Sequence, residues 1–182
     1  MKKLLISLII LFSALFSWAQ TEGTDAFPVD KKTKLITFKD VVEEEGTKDE
    51  LFVRASEWLH HYFKQPVYVT NVRDAASGII KGKHQFELFI TDDDEKRRIG
   101  MIKYYFKIEC RDGRYRYILD NFVLTQASKF PCEKWLDVTA PNYDEEMWPL
   151  YLEEIRNYAL NDFAASLKEY MVPEEEVEEE EW

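Results

Sequence analysis

Residues 100–124, GMIKYYFKIECRDGRYRYILDNFVL, predict an antiparallel β-hairpin. The dipeptide Asp112-Gly113 lies at its middle and accepts the positive φ angles of a tight two-residue turn. Such a turn fixes the register, so alternation along the paired strands predicts one apolar face and one charged face. The pairs expected on the apolar face, beyond the closing pair of Arg111 and Arg114, are Cys110–Tyr115, Ile108–Tyr117, Phe106–Leu119 and Ile102–Val123.

Two helices and further strands flank the hairpin. Thr47-Lys48-Asp49-Glu50 is a capping box, which begins a helix because Thr47 and Glu50 each satisfy a backbone N–H of the other. Apolar residues then recur at helical spacing up to Phe63, and Pro66 prevents continuation. The predicted order is a strand at 35–45, this helix, a short strand at 67–73, a turn at 74–78, a strand at 79–91, a polar loop at 92–98, the hairpin, a connector at 127–143 and a helix at about 144–171 with an apolar stripe from Trp148 to Met171.

The first 19 residues have the pattern of a signal peptide. Lys2 and Lys3 precede an uncharged apolar run, and Ser17-Trp18-Ala19 places small residues where a signal peptidase cleaves. We expect cleavage after Ala19 and a protein located in the periplasm or outside the cell. The apolar run is shorter than the roughly 20 residues that span a bilayer, so we expect no membrane span after cleavage.

The remaining chain divides into a leader at 20–34, a single domain at 35–172 and an acidic tail at 173–182. The tail holds seven glutamates, repels itself and is expected to be disordered. Loss of Lys2 and Lys3 lowers 24 basic residues to 22 against 35 acidic ones and takes the net charge from −11 to −13. Such a protein is a poor nucleic-acid binder, because affinity for phosphate comes mainly from clustered Lys and Arg.

Four segments of the chain resemble a family of small secreted bacterial proteins. They are Phe27-Pro28-Val29-Asp30, the passage through Thr47, Glu50, Leu51, Ala55 and Trp58, the stretch Gly78–Gly82, and Asp112–Tyr117. That family is a domain of unknown function with a fold similar to one repeat of the TATA-box-binding protein (TBP). The resemblance implies a TBP-like α+β fold, β-α-β-β-β-β-α, with two helices packed on one face of a curved antiparallel five-stranded sheet. It supplies no catalytic residue, and the shared fold does not imply DNA binding.

The sequence carries no recognisable catalytic or metal-binding motif. It has no GxSxG elbow, no phosphate-cradling Gly-rich loop and no HExxH helix. His60 and His61 are adjacent on the first helix and point about 100° apart, so they cannot share one metal as an i, i+4 pair does. His84 is expected on the core side of its strand, and the acidic run 92–95 lacks the spacing and glycine of a calcium loop. We expect no catalytic residue, no cofactor and no metal site.

A disulfide between Cys110 and Cys132 has to be considered in an oxidising compartment. If the last strand runs to Gln126, that residue pairs about 36 Å from Cys110 at ~3.3 Å per residue. The six residues from Gln126 to Cys132 return only about 20 Å, which leaves more than the ~7 Å between Cα atoms that a disulfide tolerates. If the strand ends near Leu119, the bridge becomes possible. We expect the two cysteines to be unpaired.

The charged sheet face is the predicted ligand- or partner-binding site. Its aromatic residues are Tyr105 and Phe122, which suit an anionic or glycan ligand or an envelope protein. Cross-strand charge pairing, such as Glu109 with Arg116 and Glu87 with a neighbour, is the alternative interpretation and needs no partner. The seven basic residues predicted on this face are Lys81, Lys83, Lys103, Lys107, Arg111, Arg114 and Arg116.

Two functions follow from these patterns. The first is a non-enzymatic secreted or periplasmic binding module that uses the exposed sheet face. The alternative is a hydrolase or lyase that uses carboxylates in a groove between sheet and helices, and it predicts a carboxyl group of raised pKa there.

Overall fold

The computed structural model describes residues 27–92 and 95–173. The predicted signal peptide, the first part of the leader and residues 174–182 of the acidic tail lie outside the described residues. Within the described ranges, no helix has the length and apolar character needed to cross a membrane.

A curved antiparallel sheet organises the domain. In the described part of the chain it has six strands in the order β1-β5-β4-β3-β2, with β6 also paired to β5. β1 and β6 lie end to end along the same edge of β5, because β1 pairs with residues 114–120 and β6 with residues 123–125. β6 is one strand more than the five predicted. The strands are β1 Thr37–Glu43, β2 Thr70–Asp74, β3 Ile79–Asp92, β4 Glu95–Arg111, β5 Arg114–Thr125 and β6 Lys129–Pro131.

The central hairpin confirms the predicted register from its turn as far as Phe106–Leu119. Gly113 has a φ of 72°, as the turn requires. Beyond Tyr105, a β-bulge interrupts the ladder: Tyr104 alone opposes two residues of β5, Asn121 and Phe122. Asn121 takes the positive φ of 54° that this arrangement needs.

The bulge corrects two expectations about the hairpin. Ile102 pairs with Leu124 and not with Val123. Phe122, expected on the charged face, turns into the core and is 0% exposed. One extra residue in a strand moves every later side chain to the opposite face, so alternation counted from the turn gives the wrong face here.

The first helix, α1 (Lys48–Tyr62), begins at the predicted capping box. The backbone N–H of Thr47 donates to the Glu50 carboxylate at 2.7 Å, and the backbone N–H of Glu50 donates to the Thr47 hydroxyl at 3.3 Å. The apolar stripe is buried against the sheet, with Trp58 0% exposed. The helix ends before Pro66, as expected.

Two boundaries between strands and their neighbours differ from the prediction. The segment expected to begin a strand at 67 instead forms a single helical turn, α2 (Pro66–Val69), and β2 begins only at Thr70. Proline at the start of a helix has a suitable φ, and its missing N–H is no loss there. The predicted polar loop is also shorter, because β4 begins at Glu95 and pairs with the end of β3.

The second helix is continuous from Met147 to Met171 but changes winding. It consists of α3 (Met147–Asn157), a π-helical segment (Tyr158–Ala164) and α4 (Ala165–Met171). Four of its buried residues recur every four positions, which exceeds the 3.6-residue turn of an α-helix and drifts by about 40° per turn. The wider π turn compensates for this drift and keeps the stripe on the sheet. These residues are Ala159, Phe163, Leu167 and Met171, each 0% exposed.

The connector after β6 packs on the helix side of the sheet. Its 3-10 turn, Cys132–Leu136, buries Trp135, whose ring lies 5.1 Å from Tyr151 of α3. The second half of the leader also joins the domain, because the Phe27 ring meets Phe38 at 5.6 Å. The sheet face opposite the helices, named the outer face from here on, is therefore not covered by the connector.

Candidate functional site

The eight residues predicted for the binding site lie together on the outer face. Lys107 of β4 is half-buried, and the other seven are exposed. Lys81 lies directly opposite Lys107, and Arg111 directly opposite Arg114. Like charges placed opposite each other destabilise a sheet, so these pairs act against folding. Such local conflicts are expected at functional sites.

Cross-strand charge pairing accounts for only part of this surface. Glu109 holds two of the cations: its carboxylate lies 2.5 Å from the Lys107 ammonium and also contacts the Arg116 guanidinium. Burial opposes ionisation of Glu109, but hydrogen bonds from these two cations outweigh burial and lower its pKa. At the far end of the face, Glu87 pairs with Arg98 at 2.7 Å.

The other five cations of the face lack a carboxylate within 4 Å among the described residues. All five are exposed to solvent. They are Lys81, Lys83, Lys103, Arg111 and Arg114. Charge pairing inside the domain therefore leaves most of the positive charge of this face available to a ligand.

A groove runs across the outer face from β2 to β6. It consists of two adjoining cavities of about 810 and 920 Å³, which share Lys83, Tyr105 and Asn121. Each volume lies within the range typical of small-molecule sites. The first cavity adds Lys64, Tyr68, Lys103 and Lys129, and the second adds Lys81, Lys107 and Asp120. We name this groove, with its lining lysines and tyrosines, the lysine groove.

Tyr68 and Lys129 are groove residues that sequence reasoning missed. Tyr68 lies in α2 and is 80% exposed, and Lys129 begins β6. Both belong to elements that the sequence did not predict, so no periodic pattern could assign them to this face. Tyr105, 49% exposed, was predicted and lies on the floor of the groove.

Asp120 is a carboxyl group on the floor of the groove, directly opposite Tyr105. Its pKa is raised, first by burial and then by the nearby carboxyl groups of Glu133 and Asp30. The enzymatic alternative predicted such a group between sheet and helices, whereas Asp120 is on the outer face.

The space between sheet and helices is filled by the apolar core and one tyrosine cluster. The hydroxyls of Tyr104 and Tyr158 lie 2.7 Å apart. Tyr62 donates to the Asp162 carboxylate at 2.9 Å, and burial raises the pKa of all three tyrosines. These contacts satisfy hydroxyl groups beside the π-helical segment, so we interpret the cluster as part of the packing.

The histidines do not converge. His60 and His61 are exposed on α1, while His84 is half-buried against the rings of Phe63 and Tyr104, on the core side as predicted. Burial lowers the pKa of His84. Across residues 27–92 and 95–173, no group of three or more His, Cys, Asp or Glu side chains has the geometry of a metal site. Residues 93–94 of the acidic run lie outside the described residues.

Cys110 and Cys132 are unpaired and buried, as the sequence argument expected. Cys110 pairs with Tyr115 at one end of β5, and β6 ends opposite Val123, about 26 Å further along the strand at ~3.3 Å per residue. This separation excludes a disulfide. Burial raises the pKa of Cys110 to about 11 and raises that of Cys132 further.

Comparisons with known proteins agree with this architecture. Residues 38–125 match the family model described as a domain of unknown function (DUF4468) with TBP-like fold. A DUF4468 family protein from Bacteroides ovatus superposes with a TM-score of 0.64 at 14% identity, over 78% of this chain and 89% of that one. A TBP-like protein from Parabacteroides distasonis gives 0.56 at 18% identity, over 77% and 96%. At identities of 14% and 18%, these matches establish a similar fold and not a similar function. No curated protein sequence matches the chain.

Proposed function

Because this chain contains a domain of the DUF4468 family, which has no assigned activity, we propose that it is a non-enzymatic module that binds an anionic glycan on its outer face. The observation that carries the proposal is the set of five exposed cations of this face that lack a carboxylate partner among the described residues, three of which line a groove with exposed tyrosines. The predicted signal peptide supports a location outside the cytoplasm, where such glycans occur.

The electrostatics favour a ligand with several negative charges. The chain as a whole has a net charge of −11, yet this face concentrates positive charge. One exposed ion contact at 4 Å contributes only about 1 kcal/mol in water. Measurable affinity therefore requires several contacts at once, which a polymer with repeated anionic groups supplies.

The residue types favour a glycan over an acidic protein. Lysine is depleted in protein–protein interfaces, whereas the groove cations are all lysines. The exposed rings of Tyr68 and Tyr105 offer flat apolar surfaces for sugar rings, and the lysines around them suit carboxylate or sulfate groups.

Calorimetric titration with an oligogalacturonate, a carboxylated glycan, tests the proposal. The best variant is Lys83→Glu/Lys103→Glu, because both side chains line the groove and neither holds a carboxylate within the described residues. Lys107 and Arg116 are poorer positions, since each also holds Glu109. Reversing one contact changes its energy by about 2 kcal/mol, so we expect roughly a thirtyfold loss of affinity per substitution.

The matched control is Arg97→Glu/Lys134→Glu, which makes the same change of net charge on the helix side. Arg97 contacts Met147, and Lys134 lies over the Phe130 ring. The control should bind like the wild type, and a neutral maltooligosaccharide of equal length should not bind. Equal losses in the two double variants would contradict the proposed site, and absence of binding to any anionic glycan would contradict the function.

A further inference from the structure

A second cluster of cations lies at the hairpin end of the outer face. Arg111 and Arg114 face each other beside the β4–β5 turn, and Arg116 follows on β5. The three side chains surround a depression of about 200 Å³ that also includes Val41 and Glu109. We name Arg111, Arg114 and Arg116 the arginine cluster.

The chain leaves the described part of the domain close to this cluster. The Arg54 guanidinium donates to the backbone carbonyls of Met171, at the end of α4, and of Glu45. The next residue, Gly46, accepts a hydrogen bond from the backbone N–H of Gly113 at 2.8 Å. These contacts connect the end of α4 to the β4–β5 turn. The path crosses the Arg54 guanidinium and a few backbone residues, so at ~3.5 Å per residue it is roughly 15–20 Å long.

The sequence that follows is strongly acidic and long enough to reach the cluster. Residues 174–181 contain seven glutamates and one valine. Eight extended residues span about 26–29 Å, which exceeds the path to Arg114.

We propose that residues 174–181 bind the arginine cluster as an intramolecular acidic ligand and thereby compete for the outer face with the anionic glycan. The competition depends on the proposed function, whereas the contact itself does not. Arginine suits this role because its planar guanidinium binds carboxylates through two parallel hydrogen bonds. A short tether gives an effective concentration in the millimolar range, so weak individual contacts suffice.

Charge complementarity favours this occupant over others. Arg111 and Arg114 have no carboxylate within 4 Å in the described ranges, and repulsion between them is relieved by a shared anion. The cluster consists of arginines at one end of the face, while the lysine groove lies further along it. A segment held on the arginines lowers the positive potential of the groove without filling it.

Paramagnetic relaxation on the full chain tests the contact. A nitroxide is attached at Glu181→Cys, while Cys110 and Cys132 are buried and react slowly. We expect selective loss of the backbone amide signals of Arg114 and Arg116, with those of Gln126 and Lys129 at the far end of the face retained. About 1 M salt shortens the Debye length to ~3 Å and should restore the lost signals.

The control variant carries the same label at Glu181→Cys and has glutamine at the other six tail glutamates. Its arginine-cluster signals should remain, and Arg111→Gln/Arg114→Gln should restore them in the acidic-tail protein. Signal loss that persists with the neutral tail, or that falls elsewhere on the domain, would overturn the contact. Mixing nitroxide-labelled protein without isotope enrichment with isotope-enriched protein without the nitroxide detects a contact between two copies. Such a contact would also overturn the intramolecular contact.

Titration with oligogalacturonate then tests the competition separately. The neutral-tail protein should bind the glycan several-fold more tightly than the wild type. Equal affinities would overturn the competition. If neither protein binds the glycan, the proposed function fails, and the relaxation experiment alone still decides whether the tail contacts the cluster.

Discussion

Replacing Phe122 with alanine tests the bulge that separates the observed register from the predicted one. The Phe122 ring is fully buried, lies edge-on to Phe38 at 5.8 Å and stacks on Tyr104 at 5.9 Å. Truncating such a ring costs about 3–5 kcal/mol of unfolding free energy. In a domain of this size each kcal/mol lowers Tm by ~2–4 °C, so we expect a decrease of roughly 6–20 °C.

Urea unfolding followed by circular dichroism measures this loss, with Tyr105→Ala as the matched control. Tyr105 lies on the neighbouring strand but on the outer face and is 49% exposed, so its truncation should cost less than about 1 kcal/mol. Without the bulge, Phe122 would occupy a similar exposed position. A loss below about 1 kcal/mol for Phe122→Ala would therefore refute the assignment of Phe122 to the core.

Substitutions at Asn121 test the same bulge through the backbone. Asn121 has a φ of 54°, which glycine adopts freely and which costs a β-branched residue about 1–2 kcal/mol. Asn121→Gly should unfold like the wild type, while Asn121→Val should be destabilised by that amount. Equal stability of the two variants would contradict a left-handed conformation at this position.

Three further predictions concern single sites. Because the pKa of Asp120 is raised, its contribution to folding stability is complete below pH 3.8 and is lost as pH rises through the raised pKa. Asp120→Asn should therefore raise Tm at pH 7 but not at pH 3. An unchanged Tm at pH 7 would contradict this. A Cβ at Gly82 would overlap the Phe106 ring, so Gly82→Ala should cost about 1–3 kcal/mol in urea unfolding, and an unchanged midpoint would refute it. A thiol reagent should label Cys110 and Cys132 only after unfolding, and rapid labelling of the native protein would show that they are accessible.

The elements that the sequence predicted correctly have local causes. The Asp112-Gly113 turn sets the hairpin register up to Phe106, and the Thr47–Glu50 capping box begins α1 at the expected residue. In both, the stabilising contacts join residues a few positions apart, so the pattern is visible in a short window.

The candidate site was predicted in part for the same reason. Alternation from a known turn assigned eight residues to one face, and all eight lie there. It could not assign Tyr68 or Lys129, because α2 and β6 are short elements stabilised by their neighbours. Alternation also could not show that Lys107 and Arg116 hold Glu109, whereas Lys83 and its neighbours have no carboxylate partner among the described residues.

Apart from the short elements α2 and β6, the sequence by itself determined the elements and their order, the two buried helix stripes, and the clustering of basic residues on one sheet face, since each depends on periodicity or on a short-range contact. Only the tertiary structure decided that Phe122 enters the core, because Phe38 and Tyr104 provide its contacts from distant parts of the chain. It likewise decided that the connector packs on the helix side, because Trp135 finds Tyr151 there. The outer face owes its open groove to that packing.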